Sequence, residues 1–153
     1  MTAVTQIAEL TVSYQVTPDF EKLPVITTSV QAYEFMYSFF PPGTVALQEH
    51  FFVAYLNRAN KVIGVYHTSV GGISSTVSDP RLILGTALKL AASNLLLAHN
   101  HPSAHMKPSA ADKELTRRLV EGAKLLDLSV LDHIIVGPTK GDYFSFADDG
   151  LIQ

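Results

Sequence analysis

The chain has 153 residues, of which 47% are hydrophobic and 16% are charged, a balance typical of one compact globular domain. It contains no cysteine, which excludes disulfide scaffolds, thiol nucleophiles, iron–sulfur clusters and cysteine-ligated zinc, so any bound metal must be held by His, Asp or Glu. The formal net charge of −3 gives the domain as a whole no positive field, so nucleic acid is not an expected partner.

The start of the chain carries no targeting signal that we can identify. Its first basic residue is Lys22, so the positive region of a signal peptide is missing. The apolar run over residues 95–98 is far shorter than the ~20 residues needed to cross a bilayer. We therefore expect a soluble, cytoplasmic protein with no membrane partner.

Hydrophobic periodicity predicts one strand and one helix in the first quarter of the chain. Apolar and polar residues alternate over residues 10–16, as in a half-buried strand. A helix is expected to start at Thr28, where Gln31 completes a capping-box pattern, and to end near Phe40, before two prolines.

The middle of the chain predicts buried strands around a second helix. Residues 51–56 are continuously apolar, as in a strand covered on both faces, and residues 62–70 are its expected partner. After a loop that opens with two glycines at 71–72, residues 78–80 suit the start of a helix that continues to Ala92. A short buried strand is predicted over residues 95–98.

The last third predicts a helix that starts at Ser109, followed by short strands over residues 130–131, 133–136 and 143–146. Helices that alternate with buried strands favour a layered α/β or α+β domain rather than a helix bundle or a β-sandwich.

A group of potential metal ligands follows the strand predicted over residues 95–98. His99 and His101 are two residues apart, so at a strand end their side chains point to one face, ~6.5–7 Å apart at the backbone. Two imidazoles at that spacing can converge on one zinc ion at ~2.0–2.1 Å each. Asp112, in the first turn of the next predicted helix, can turn back as a third ligand. Such a set leaves the fourth tetrahedral position open for water, which predicts one catalytic Zn²⁺ per chain.

Glu49 and Ser109 are the candidate catalytic side chains. A zinc-bound water has its pKa lowered toward ~7, and it still needs a base to accept its proton. Glu49 directly precedes the apolar strand region and could reach a site at the end of a neighbouring strand, although Glu34 competes for this role. Ser109, at a helix N-cap, could help to stabilise an oxyanion together with nearby backbone N–H groups.

Each of these residues also has a purely structural interpretation. Two histidines at a strand end can be hydrogen-bonded and inert, while Ser109 and Asp112 match an ordinary helix N-cap with an acid in the first turn. We interpret His105 and His133 as loop residues or neighbours of the ligands rather than ligands. The basic cluster of the last helix is interpreted as a solvated face; it consists of Lys113, Arg117 and Arg118.

The spacing of Glu49, His99-Asn100-His101, Ser109 and Asp112 resembles the JAMM (MPN-plus) metalloprotease motif, with seven residues between the second His and Ser and two between Ser and Asp. The flanking sequence is similar to that of the RadC family over roughly residues 25–150. The matching stretches are Glu49-His50-Phe51, Thr68-Ser69-Val70-Gly71, Asp79-Pro80-Arg81, His99-Asn100-His101-Pro102-Ser103, Thr116-Arg117-Arg118-Leu119 and Val130-Leu131-Asp132-His133.

This resemblance implies an α/β/α layered fold with a mixed sheet, the cytidine-deaminase-like MPN/JAMM fold. It implies an N-terminal strand and lead-in over residues 1–24 and a RadC-like MPN (JAB/JAMM) domain over residues 25–153. It also implies a zinc ion held by His99, His101 and Asp112, with Glu49 as general base. The expected function is that of a zinc-dependent metallohydrolase, a peptidase or isopeptidase that acts on a protein or peptide substrate.

Two departures from the RadC pattern bear on function. RadC-like sequences usually carry glycine where this chain has Ala104, a change that stiffens the loop without removing a ligand. Many also have a helix-hairpin-helix region, which the two dozen residues before the matched domain do not supply; this weakens a DNA-related role.

Other functions are separated by their sequence requirements. The residues of an HNH endonuclease are spread over a ββα-metal hairpin, and do not form a contiguous His-Asn-His. A zinc nucleobase deaminase needs a Pro-Cys-x-x-Cys pair, which a chain without cysteine does not have. Two alternatives stay open: a DNA-repair-associated RadC-type protein that acts on or near nucleic acid, and a non-catalytic MPN interaction scaffold.

Overall fold

The computed structural model describes residues 19–71 and 78–152. The strand predicted over residues 10–16 and most of the loop after Gly71 lie outside the described residues. A 3₁₀ turn at Phe20–Lys22 comes first. The helices and strands that follow are α1 (Ser29–Tyr37), β1 (His50–Leu56), β2 (Val62–Val70), α2 (Pro80–Lys89), β3 (Asn94–Asn100), α3 (Ala110–Leu125), β4 (Ser129–Val136) and β5 (Tyr143–Ser145).

The five described strands form one mixed sheet in the order β2-β1-β3-β4-β5. Strands β3 and β4 are parallel and are joined through α3, whereas the other neighbouring pairs are antiparallel. Helix α1 packs on one face of the sheet, and α2 and α3 pack on the other. This confirms the predicted α/β class with a mixed sheet between helical layers.

Strand β1 has a continuously apolar sequence because both of its faces are buried. All seven of its residues are buried, and alternate side chains enter different cores. Phe52 and Ala54 face α1, whereas Phe51 and Val53 face α2 and α3. Burial of each of the Phe and Val side chains among them stabilises the fold by about 1.5–3 kcal/mol. The same alternation in β3 points His99 toward α3 and Asn100 toward α1.

The first two helices are shorter than predicted. Helix α1 ends at Tyr37 rather than near Phe40. The Thr28 hydroxyl accepts the N–H of Gln31 as expected, but the Gln31 side chain accepts from the N–H of Thr27, so the capping box is only half formed. Helix α2 ends at Lys89 because Ala91 adopts a left-handed conformation (φ 51°), which breaks the helical path before Ala92.

The late strands also differ from the prediction. Residues 129–136 form one strand rather than two, because the buried carboxylate of Asp132 has hydrogen-bond partners there and in the segment that follows. Asp132 accepts hydrogen bonds from the Ser145 hydroxyl (2.6 Å) and from the N–H groups of His133 (2.7 Å) and Ala147 (3.0 Å). Strand β3 extends to Asn100 and so includes His99, whereas β5 ends one residue early, at Ser145.

The polar surface of α3 is solvated as predicted. Arg117 forms ion pairs with Glu114 (2.8 Å) and Glu121 (2.6 Å) on the exposed side of the helix. Within the described residues, we find no helix with both the length and the apolar character needed to cross a membrane.

Candidate metal centre

The three predicted ligands come together at the carboxyl end of β3. His99 belongs to the end of this strand, and His101 follows it, held by a hydrogen bond from its N–H to the carbonyl of Val136 (3.0 Å). Asp112 lies in the first turn of α3. One potential ligand atom from each side chain lies within 4.8 Å of the others, and no other such group of three occurs in the described part of the chain.

The distances within this group fit a tetrahedral ion. His99 Nε2 lies 2.9 Å from His101 Nε2 and 3.3 Å from Asp112 Oδ1, while His101 Nε2 lies 3.4 Å from Asp112 Oδ2. Ligand atoms bound to one tetrahedral zinc at 2.0–2.2 Å are separated by about 3.3–3.6 Å. Each imidazole therefore lies at about a zinc-ligand separation from one oxygen of the carboxylate, and binding of all three side chains to one ion needs a small rotation of Asp112 and a small spreading of the imidazoles.

A capping box orients the carboxylate of Asp112. The Ser109 hydroxyl accepts the N–H of Asp112 (3.1 Å), and Asp112 Oδ2 accepts the N–H of Ser109 (2.6 Å). Burial raises the pKa of Asp112, but the adjacent rings of His101 and His99 and the capping contact with Ser109 outweigh it, so the pKa lies well below its usual value. The carboxylate is therefore ionised at neutral pH, as a metal ligand must be.

His101 is oriented by its own loop. Its Nδ1 faces the backbone carbonyl of His105, and because a carbonyl only accepts, Nδ1 carries the proton and Nε2 faces the site. Burial lowers the pKa of His101, but hydrogen bonds with Asp112 and the His105 carbonyl and the charges of Asp112 and Glu49 raise it overall. Asp112 and His101 each keep 14% of their side chains exposed, so the site is accessible from solvent.

The strand register places Glu49 beside this group. Strand β1 runs antiparallel to β3 and pairs Phe51 with His99. Glu49 directly precedes β1 and His101 directly follows β3, so both residues lie at the same edge of the sheet. The negative charge of Glu49 is one of the causes that raise the pKa of His101. The competing acid, Glu34, is exposed on α1, which packs on the other face.

Comparisons with known proteins identify the family of this chain. The family model described as "RadC-like JAB domain" matches residues 26–151. The chain belongs to this family. Relatives include UPF0758 proteins of Flavobacterium johnsoniae, 41% identical over 133 residues (87% of this chain and 56% of the relative), and of Porphyromonas gingivalis, 40% identical over 151 residues (98% and 65%).

A further relative, UPF0758 protein YfjY of Escherichia coli, is 44% identical over 105 residues, which cover 69% of this chain and 64% of the relative. The chain thus spans between about half and two thirds of the length of these relatives. Their shared name states no activity, so the family is shown but its reaction is not.

The loop after His101 contains Ala104, at which this chain departs from the RadC pattern. Ala104 has a positive φ of 59°, and its N–H closes a turn onto the carbonyl of His101 (3.0 Å). Glycine adopts this left-handed conformation freely, whereas other residues incur a cost of about 1–2 kcal/mol. The turn forms here although Ala104 carries a methyl group. The carbonyl of His105 therefore keeps the position in which it orients His101.

Asn100 is a structural residue of the RadC-like site that the sequence analysis missed. It is fully buried on the α1 side of the sheet. Its Oδ1 accepts the N–H of His50 (2.6 Å), and its Nδ2 donates to the carbonyls of Val45 (2.6 Å) and Gln48 (2.8 Å). These bonds attach the segment that carries Glu49 to β3. Strand alternation could have indicated this role. Because His99 and His101 point to the site, Asn100 between them points to the opposite face, where a buried amide needs hydrogen-bond partners.

His133 lies next to the ligands, as predicted, and is not one of them. It is fully buried, with its ring stacked on that of Phe146 (4.7 Å between centroids). Its Nε2 lies 2.7 Å from His99 Nδ1, and its Nδ1 lies 2.6 Å from the Thr116 hydroxyl. Burial lowers the pKa of His133 well below its usual value, so the ring is neutral. His105, the other histidine considered, is exposed and contributes its carbonyl.

Proposed function

We propose that this RadC-like domain is a zinc-dependent hydrolase that cleaves an amide bond in a protein or peptide substrate. The observation that carries the proposal is the convergence of His99, His101 and Asp112 at separations close to those of zinc ligands, with Glu49 at the same edge of the sheet. Two imidazoles and one carboxylate are a ligand set of catalytic rather than structural zinc sites, because they leave one position for water or substrate.

The chemistry is divided between the metal and the protein side chains. A zinc ion bound there would lower the pKa of a coordinated water toward ~7 and polarise the substrate carbonyl. Glu49 accepts the proton of the attacking water and delivers it to the leaving amine nitrogen. The Ser109 hydroxyl accepts a hydrogen bond from Asp112 N–H but can still donate its own proton, so it can stabilise the developing oxyanion.

The proposed metal site and the proposed amide substrate rest on different kinds of evidence. The ligand geometry supports a metal ion, and the accessible side of His101 and Asp112 gives a substrate a way in. The amide bond comes from the resemblance to JAMM metalloproteases, in which the same five positions carry the reaction. A peptidase or isopeptidase is therefore the specific form of the proposal.

The test is cleavage of a proteome-derived peptide library by the zinc-bound protein, with new amino termini identified by mass spectrometry. Glu49→Gln should bind zinc as tightly as the wild type while cleavage falls about 10²–10⁴-fold, the usual contribution of a general base. Glu34→Gln, an exposed acid on α1, is the matched control and should cleave normally.

Two outcomes would contradict the proposal. Wild-type cleavage by Glu49→Gln would remove Glu49 from the reaction. A protein that binds zinc but cleaves neither the library nor denatured casein would favour the non-catalytic scaffold. Salt-dependent binding to duplex DNA, measured in parallel, would support the nucleic-acid alternative.

A further inference from the structure

We infer that Thr116 and His133 act as positioning residues that fix His99 in the one neutral tautomer able to bind a metal through Nε2. The inference rests on the proposed zinc site and adds two residues to it that lie outside the five-residue motif. It is carried by an unbroken series of hydrogen bonds that leads from the backbone of α3, through Thr116 and His133, to His99.

The direction of each hydrogen bond follows from the donors available. Thr116 Oγ1 lies 2.7 Å from the backbone carbonyl of Asp112, which can only accept, so the single hydroxyl proton of Thr116 points there. His133 Nδ1 lies 2.6 Å from the same hydroxyl oxygen. Because that oxygen has no second proton, His133 must donate, and its Nδ1 carries a hydrogen.

The tautomer of His133 determines which ring nitrogen of His99 carries a proton. His133 has no exposed surface, and neither Thr116 nor His99, the partners of its ring nitrogens, is a carboxylate. A buried cation without a paired charge is strongly disfavoured, so the ring is neutral and its Nε2 bears a lone pair. At 2.7 Å, His99 Nδ1 must therefore donate to His133 Nε2. A neutral His99 then presents the lone pair of Nε2 toward His101 and Asp112.

The series of hydrogen bonds begins and ends at proposed metal ligands, Asp112 and His99. Thr116 lies one helical turn after Asp112, so the carbonyl that directs the first bond belongs to the residue whose carboxylate lies 3.3 Å from His99 Nε2. His101 reaches the matching tautomer separately, through the carbonyl of His105. Metal-binding histidines commonly donate their other N–H to a carboxylate, carbonyl or water, and loss of such a partner weakens metal binding about 10–100-fold. Here a second imidazole takes that place.

The test compares Thr116→Val with Thr116→Ser in metal-free and zinc-titrated protein. Valine has nearly the shape of threonine but lacks the hydroxyl, whereas serine keeps it. Long-range ¹H–¹⁵N spectra of the metal-free wild type should show both His133 and His99 protonated at Nδ1. In Thr116→Val this single pattern should be lost and zinc affinity should fall about 10–100-fold; Thr116→Ser should behave as the wild type.

The outcomes separate this inference from the proposed function. Absence of a proton from His99 Nδ1 in the wild type would overturn the inference even if the enzyme cleaves peptides. So would wild-type spectra and wild-type zinc affinity in Thr116→Val. Conversely, the expected tautomers in a protein that binds no zinc would support the hydrogen-bond series while refuting the metal site. If Thr116→Val does not fold, His133→Phe tests the same link through zinc affinity.

Discussion

Two pairs of histidines in this chain place their ring nitrogens almost equally close together, yet the groups around the two pairs are very different. His99 and His101 lie 2.9 Å apart through Nε2, and His50 Nδ1 lies 3.2 Å from His67 Nε2. The first pair has the carboxylate of Asp112 in contact with both rings. Among the described residues, the second pair is not part of a group of three potential ligands.

The surroundings of the second pair are those of structural histidines. His50 is buried, and its Nε2 contacts the Thr44 hydroxyl (2.9 Å), while the ring of His67 stacks on Phe52 (4.1 Å between centroids). Burial lowers the pKa of both, and for His50 the charge of His67 adds to this effect. The comparison teaches that close imidazoles are not sufficient: a metal site also needs an anionic ligand and fixed N–H directions.

The largest effect expected from this comparison concerns zinc affinity. Removing a direct ligand by His99→Ala, His101→Ala or Asp112→Asn should weaken zinc binding by more than about 100-fold, because loss of an outer hydrogen-bond partner alone costs 10–100-fold. His67→Ala should bind as the wild type does. Competition with a chromophoric chelator measures both. A loss of equal size in His67→Ala would break the distinction between the two pairs.

A second prediction concerns Asn100, which connects the two regions through the N–H of His50. Asn100→Ala leaves two carbonyls and one N–H without their partner, so the free energy of unfolding should fall by about 2–4 kcal/mol. Zinc affinity should stay within a few-fold of the wild type, since the ligands do not change.

Asn94→Ala is the matched control for that measurement. Asn94, at the other end of β3, is only partly buried and bonds to Asn60 (2.7 Å), so its removal should cost about 1 kcal/mol. Urea denaturation with fluorescence or circular dichroism detection measures both. Equal destabilisation by the two variants would show that the Asn100 bonds add nothing to the attachment of residues 45–50.

The smallest predicted effect separates helix capping from site geometry. Ser109→Ala and Thr28→Ala each remove one N-cap hydroxyl and should lower the free energy of unfolding by about 1 kcal/mol. Only Ser109→Ala should also weaken zinc binding, by about 10-fold, because its capping box orients Asp112. Parallel unfolding and zinc titrations test this. Equal zinc affinity in both variants would mean that Asp112 is oriented without the Ser109 hydroxyl.

What could be predicted from the sequence was local or strongly periodic. The pairing of His99 with His101 follows from strand alternation, and Asp112 follows from its place in the first turn of a helix that Ser109 caps. The continuous burial of β1 follows from its apolar run. Glu49 could be singled out mainly through the family resemblance, because its proximity to His101 depends on the register of β1 against β3.

The contacts that were missed join residues far apart in the chain. Asn100 bonds to residues about 50 positions earlier, and His99 bonds to His133, 34 positions later. Neither contact can be derived before the strand order and the packing of α3 are known. Asp132 misled the strand prediction for the same reason, since the Ser145 hydroxyl that satisfies it comes from another strand.

The most direct test of the central claim is anomalous diffraction at the zinc edge from crystals grown with zinc. We predict one strong peak per chain, at about 2.0–2.2 Å from His99 Nε2, His101 Nε2 and an oxygen of Asp112. A peak held by His50 and His67 instead, or side chains of His99, His101 and Asp112 that stay apart in the presence of ample zinc, would contradict the account.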